Sequence, residues 1–273
     1  DTPDGSIDAY GVGDTALAVF PVGSTFLSKD KPGVDHLAFS TSNAKDAASL
    51  FINDAKHSSG INGAQQIQVP EGLTQGVFSR FTPITDLRGN STEFVERMDH
   101  IGIASNSNII AESIFAAKLG LPVESRQTDM EVKVSMESFT SDKYGVIYKT
   151  RPPETMGGLR VSFITIGDTE LEFLENFNDQ HRAEIAHGTP GNTKQDQGAI
   201  TKYVEKYGPG LHHLAFKTPN INQTLKHLEK HNFRLIDTIG REGSRRSLIG
   251  FIHPASTGGV LIHFVEREEI IDA

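Results

Sequence analysis

The chain contains no cysteine, which excludes disulfides, thiolate metal sites and cysteine nucleophiles, so its chemistry must rest on histidines, carboxylates or an ion that they hold. Four residues carry that expectation: His100, Glu172, His213 and His263. Three imidazoles and one carboxylate suit a borderline divalent ion such as zinc, iron, manganese, cobalt or nickel. They do not favour calcium, which takes an oxygen shell. His253 is a further candidate, as an acid/base group beside such a site. These residues lie too far apart to form a local motif. What links them is repetition.

One phrase recurs three times, as Val34-Asp35-His36-Leu37-Ala38-Phe39, Met98-Asp99-His100-Ile101-Gly102-Ile103 and Leu211-His212-His213-Leu214-Ala215-Phe216. Each copy alternates as a strand does and holds a histidine at the same phase. Two further echoes relate Ser91–Arg97 to Leu261–Arg267 and Gly13–Ala18 to Gly167–Glu172. The copies divide the chain into an incomplete unit at 1–30 and units at about 34–97, 98–178 and 210–268. Each complete unit reads strand, helix, then three strands. The helices are expected over Asn43–Phe51, over Asn108–Leu119 with Gly120 as its stop, and over Asn220–Asn232, where Leu225 and Leu228 share a face. The first unit lacks its opening strand and helix, so the chain is expected to start inside a module.

The fold class is therefore α+β, with repeated βαβββ units paired into open barrels. Pairing of the last two units would gather the strands bearing His100, Glu172, His213 and His263 around one cavity. In the earlier pair His36 and Glu93 occupy ligand-like positions, but the third position holds Ala18. Residues 1–97 are accordingly expected to form a partial, metal-free module, and 98–273 the metal-binding one. His212 reads as outward and structural. Arg245 and Arg246 read as a solvated surface or an anion clamp, and Tyr144 and Tyr148 as strand residues or substrate donors.

A length of 273 residues supports one or two cores. No apolar run approaches the roughly 20 residues needed to cross a bilayer, and the first residues show no basic region followed by an apolar one. The net charge of -9 argues against a general nucleic-acid surface. The expectation is a cytoplasmic protein that takes a small-molecule substrate, without a nucleic-acid or membrane partner; a homodimer is compatible with it.

Met98–Arg267 resembles the vicinal oxygen chelate superfamily, which includes glyoxalases, bleomycin resistance proteins and dioxygenases. It is most similar to the methylmalonyl-CoA epimerase branch. The resemblance lies in Asp99-His100-Ile101-Gly102-Ile103-Ala104, Leu119-Gly120-Leu121, Thr169–Glu175, Gly210–Phe216 and His253–His263. It implies an open barrel with a metal in its lumen, held by His100, Glu172, His213 and, by position, His263. The chain departs from the epimerase pattern at His263, where a glutamate is expected, and at Val161, near a second acid/base glutamate. Valine cannot move a proton, so methylmalonyl-CoA itself is not the expected substrate. An added segment at about 127–156 is longer than the epimerase connection.

These features predict a metal-dependent lyase or isomerase that stabilises an enolate-like state of a small carbonyl or carboxylate compound, with Glu172 or His253 moving the proton. An Fe(II)-dependent ring-cleaving or 2-oxo acid dioxygenase is the first alternative. A small-molecule binding or resistance protein is the second.

Overall fold

The computed structural model describes residues 1–268 apart from 3, 86 and 178–192. Residues 269–273, the end of the expected metal-binding module, lie outside the described residues. The chain opens with a hairpin of β1 (Asp8–Val12) and β2 (Thr15–Val19). A first complete unit follows: β3 (Leu37–Ser40), α1 (Ala44–Ser49), β4 (Lys56–Ser59), β5 (Gln65–Val69) and β6 (Ser79–Thr82). The next comprises β7 (Arg97–Ser105), α2 (Asn108–Glu112, continued by a π-helical segment at Ser113–Lys118), β8 (Val123–Lys133), a hairpin of β9 (Met136–Ser141) and β10 (Gly145–Thr150), then β11 (Glu154–Ile166) and β12 (Thr169–Asn176). Helix α3 (Thr193–Tyr207) leads to the last unit: β13 (Gly210–Lys217), α4 (Ile221–Lys230), β14 (Arg241–Glu242), β15 (Leu248–Ile252) and β16 (Leu261–Glu266).

The last two units form one eight-stranded sheet, ordered β14-β15-β16-β13-β7-β12-β11-β8. It curls into a half-barrel. Within each unit the opening and closing strands are parallel, β7 with β12 and β13 with β16, and the units meet where β7 runs antiparallel to β13. The earlier unit has the same internal order, β3-β6-β5-β4, again with a parallel opening and closing pair. Each of the last two units also ties its helix to its closing strand in one way. Glu175 accepts a hydrogen bond from the Asn108 N–H and Glu266 from the Ile221 N–H, both at 2.7 Å, placing a carboxylate at a helix N-terminus where the free N–H groups favour it.

The helix-side faces of the strands make the core. Met98, Ile103, Phe115, Leu171, Phe173 and Leu225 are fully or almost fully buried. The core runs into the first complete unit, where Phe39 lies 6.4 Å from Phe115 and 5.6 Å from Phe81 between ring centroids. Among the described residues, no helix is long and apolar enough to cross a membrane.

Two expectations need correction. The first complete unit closes with β6 at Ser79–Thr82, whereas 91–96 is irregular and Glu93 is exposed, so Glu93 occupies no ligand-like position. Phe94-Val95 imitates Phe264-Val265 in sequence, but Thr92 makes a local turn, its N–H donating to Val95 O at 2.7 Å and its hydroxyl accepting from Val95 N–H at 3.0 Å. The second correction is an element that the repeat scheme passed over, the helix α3. Its signal is Ile200, Tyr203, Val204 and Tyr207, an i, i+3, i+4, i+7 stripe.

The meeting of β7 and β13 sets a steric condition. His213 lies opposite Gly102 at a register shift, and a Cβ built on Gly102 would overlap the His213 imidazole. Gly102→Ala therefore forces His213 off its place while leaving the helix-side core intact. The expected result is a folded chain by circular dichroism whose His213 imidazole resonances shift more than those of any core methyl group; unchanged His213 resonances would refute the condition.

Candidate metal centre

Strand alternation turns His100 on β7, Glu172 on β12, His213 on β13 and His263 on β16 toward the concave face. All four are almost fully buried. The donor nitrogens of His100, His213 and His263 lie within 4.8 Å of one another, and this trio is the only such group of three among the described residues. Glu172 Oε2 adds an oxygen 3.3 Å from the Nε2 atoms of both His100 and His213, which are themselves 3.4 Å apart. The imidazole of His263 stands 5.0 Å from that of His100 and 4.8 Å from that of His213, edge-on to Phe251 at 4.4 Å.

The two half-sites are oriented differently. His100 Nδ1 donates to Asp99 Oδ1 at 2.8 Å, which fixes the ring and leaves Nε2 for the cavity. Asp99 is itself held by Arg267 at 3.0 Å and Arg245 at 3.4 Å. Among the described residues, His213 has no carboxylate behind it. Its Nδ1 faces His212 Nδ1 at 3.0 Å, and Tyr203 of α3 lies edge-on to His212 at 4.9 Å. His212 thus backs His213 beneath α3 and does not point outward as expected. Burial, with His213 beside it, pushes the His212 imidazole down to about 3.

Charge in the cluster is unevenly distributed. Burial disfavours a proton on His100, but Glu172 and Asp99 outweigh that and push it up to about 9. Burial would raise Glu172, yet the two histidines hold it well below the usual carboxylate range. Burial and neighbouring imidazoles hold His263 well below its ordinary value, and among the described residues neither of its ring nitrogens has a hydrogen-bond partner. Converging lone pairs, one anion and an orphaned buried imidazole fit a divalent cation.

Loop 243–247 crosses the mouth of this face. Arg245 is neither solvated nor a free clamp: its backbone N–H donates to Gln127 at 2.9 Å, its guanidinium pairs with Asp99, Glu124 and Glu170, and it stacks 3.7 Å over Phe163. Arg245 and Arg246 both adopt left-handed backbone, φ 54° and 56°, costing roughly 1–3 kcal/mol each. Arg246 is exposed on a cavity of about 580 Å³ lined also by Gln127 and Ser247. Ser244 Oγ is 3.5 Å from Glu172.

The structure does not bring His253 into this cluster. His253 caps a 3₁₀ turn, its Nδ1 accepting from the Ala255 N–H at 3.1 Å. Tyr144 and Tyr148 are exposed on the β9–β10 hairpin. The acid/base candidate that sequence reading missed is Asp196 on α3. Burial raises it to about 6 against the pull of Arg241, 3.9 Å away, and Glu172 raises it further. Nothing short of the α3 register marks it in the sequence.

A relative in Bacillus subtilis, the uncharacterized protein YqjC, is 28% identical over 172 residues, covering 63% of this chain and 93% of its own. The mitochondrial methylmalonyl-CoA epimerase of Dictyostelium discoideum is 25% identical over 111 residues, 40% of this chain and 57% of that relative. The chain thus spans little more than half of that epimerase's length. The solved methylmalonyl-CoA epimerase of Mycobacterium tuberculosis shares 22% identity at a TM-score of 0.45, covering 66% of this chain and 93% of that one. The family model of the Glyoxalase/Bleomycin resistance protein/Dioxygenase superfamily matches residues 99–251, more than half of the chain, and the chain belongs to that superfamily.

Proposed function

We propose that this chain is a metal-dependent enzyme of the lyase or isomerase type, acting on a small carbonyl or carboxylate compound through an enolate-like state. The observation that carries this reading is the buried convergence of His100, His213 and His263 with Glu172. These four residues would hold the ion, in the module at 98–273, with 1–97 metal-free. A divalent ion there would supply Lewis acidity toward a substrate oxygen.

The chain's own residues then do the following. Asp99 locks the His100 ring so that Nε2 faces the lumen. Helix α3 and Phe163 keep water from the inner wall, where Val161, Phe163 and Ile200 form a dry cluster. Val161 has no proton to give, which supports a substrate other than methylmalonyl-CoA. Asp196, ionising near pH 6, is suited to take and return a proton at neutral pH. Glu172 is less suited while it remains fully ionised and bonded to two histidines.

Elemental analysis of purified protein tests the first claim. A stoichiometric divalent metal is expected, falling at least tenfold in His100→Ala and His213→Ala, with melting temperatures lowered because a bound ion stabilises the folded state. Undiminished metal in both variants refutes the centre. Iron with oxygen uptake would turn the reading to the dioxygenase, whereas zinc, nickel or cobalt supports the lyase or isomerase.

Asp196 gives a pH prediction. Its folded value of about 6 exceeds the unfolded value near 3.8, so the folded state binds this proton more tightly and loses that stabilisation as pH rises through 6. Asp196→Asn should therefore raise the melting temperature at pH 8 and change it little at pH 4. Turnover should lose its dependence on a group near pH 6, and a native-like acid limb in the variant would remove Asp196 from the mechanism.

A further inference from the structure

The first complete unit carries, at the position that the later repeat gives to His263, an arginine. Register establishes the equivalence. Between β13 and β16, Ala215 pairs with His263 and Phe216 with Phe264; between β3 and β6, Ala38 pairs with Arg80 and Phe39 with Phe81. Packing agrees, because the two phenylalanine pairs sit alike, with centroids 5.9 Å and 5.6 Å apart. With Phe81 on the helix side, strand alternation sends Arg80 to the face that bears the ligands in the later units. The aspartate–histidine step is retained as well: His36 Nδ1 lies 2.7 Å from Asp35 Oδ1, as His100 Nδ1 lies 2.8 Å from Asp99 Oδ1.

What differs is charge. A guanidinium is a permanent cation with donors and no acceptor, so it can neither ligate a metal nor tolerate one beside it. Arg80 is 2% exposed, with its guanidinium 4.4 Å over the Phe26 ring and 5.3 Å from that of Phe78. The His36 ring closes the same box, 5.8 Å from Phe26 and 6.2 Å from Phe78. Nη2 donates to the Phe26 carbonyl, but Nε and Nη1 are buried without a hydrogen-bond partner among the described residues. Asp35 does not fill that need, for His36 takes its Oδ1, while the Ser28 hydroxyl and the backbone N–H groups of Ser28 and Lys29 take its Oδ2. Burial lowers the Arg80 pKa only to about 10, so it stays charged at neutral pH. A buried cation with two idle donors is costly until an anion or another acceptor meets it.

We propose that the box formed by Arg80, His36, Phe26 and Phe78 is an anion site, in which Arg80 Nε and Nη1 bind a small monovalent anion, a carboxylate or a halide, where the later repeat uses a metal ligand. The unit would have exchanged a bound cation for a built-in one and reversed the sign of its ligand. This site is independent of the chemistry proposed for the later centre.

The test is thermal melting of the full chain in sodium gluconate, replaced stepwise by formate or by bromide at constant ionic strength. The native chain should gain about 2–4 °C, saturably, as binding to the folded state requires. The gain should persist in His213→Ala and vanish in Arg80→Met. Crystals soaked in bromide should show anomalous density within hydrogen-bonding reach of Arg80, a readout independent of whether Arg80→Met folds. A gain with formate but not bromide supports the site in its carboxylate form. No gain with either anion in the native chain, an equal gain in Arg80→Met, loss of the gain in His213→Ala, or only an ordered water at Arg80 in crystals soaked in the anion that raises the melting temperature would overturn the proposal.

Discussion

The antiparallel pairing of β7 with β13 is the interaction on which the rest of this molecule depends. It joins two units that are each complete in strand order, and it sets His213 against Gly102 and Ala215 against His100. Glycine and alanine there leave the lumen side of the seam open, so both imidazoles occupy the space between the strands. The parallel partners then bring Glu172 to Gly102 and His263 to Ala215 by the same step. One seam and two copies of a register thus place four side chains whose sequence positions are remote.

The near-symmetry of the backbone is not matched by symmetry of charge. One half-site has an ionised aspartate behind its histidine, tied to three arginines; the other has a neutral imidazole beneath a tyrosine. His100 is therefore the more basic of the pair, and Glu172 sits between them as the acceptor for both. Replacing the fourth donor by His263 leaves Glu172 as the one carboxylate among the four. That raises the net charge of the cluster by one unit relative to a site with two carboxylates.

Two further segments bound the concave face. Helix α3 lies across the concave face, packing Ile200 against Val161 and Phe163 and bringing Asp196 toward the mouth. Loop 243–247 closes the other side in a strained conformation that persists because Arg245 is held by three carboxylates and an aromatic face. Strain of this kind needs its surroundings to over-determine it, and here they do.

The repeat phrases alone determined a great deal: the unit order, the α+β class and the shared phase of His100 and His213 follow from alternation and recurrence, which are local properties of a chain. They failed at Ser91–Arg97, where two adjacent apolar residues copied a strand that Thr92's turn prevents, and they passed over α3 because it belongs to no repeat. Only the tertiary structure decided the rest. The backing of His213 by His212, the proximity of Asp196 to the site and the isolation of Arg80's donors all depend on which elements come to lie together. A single buried pair can change a side chain's protonation or leave it without a partner, and no spacing in the sequence records that.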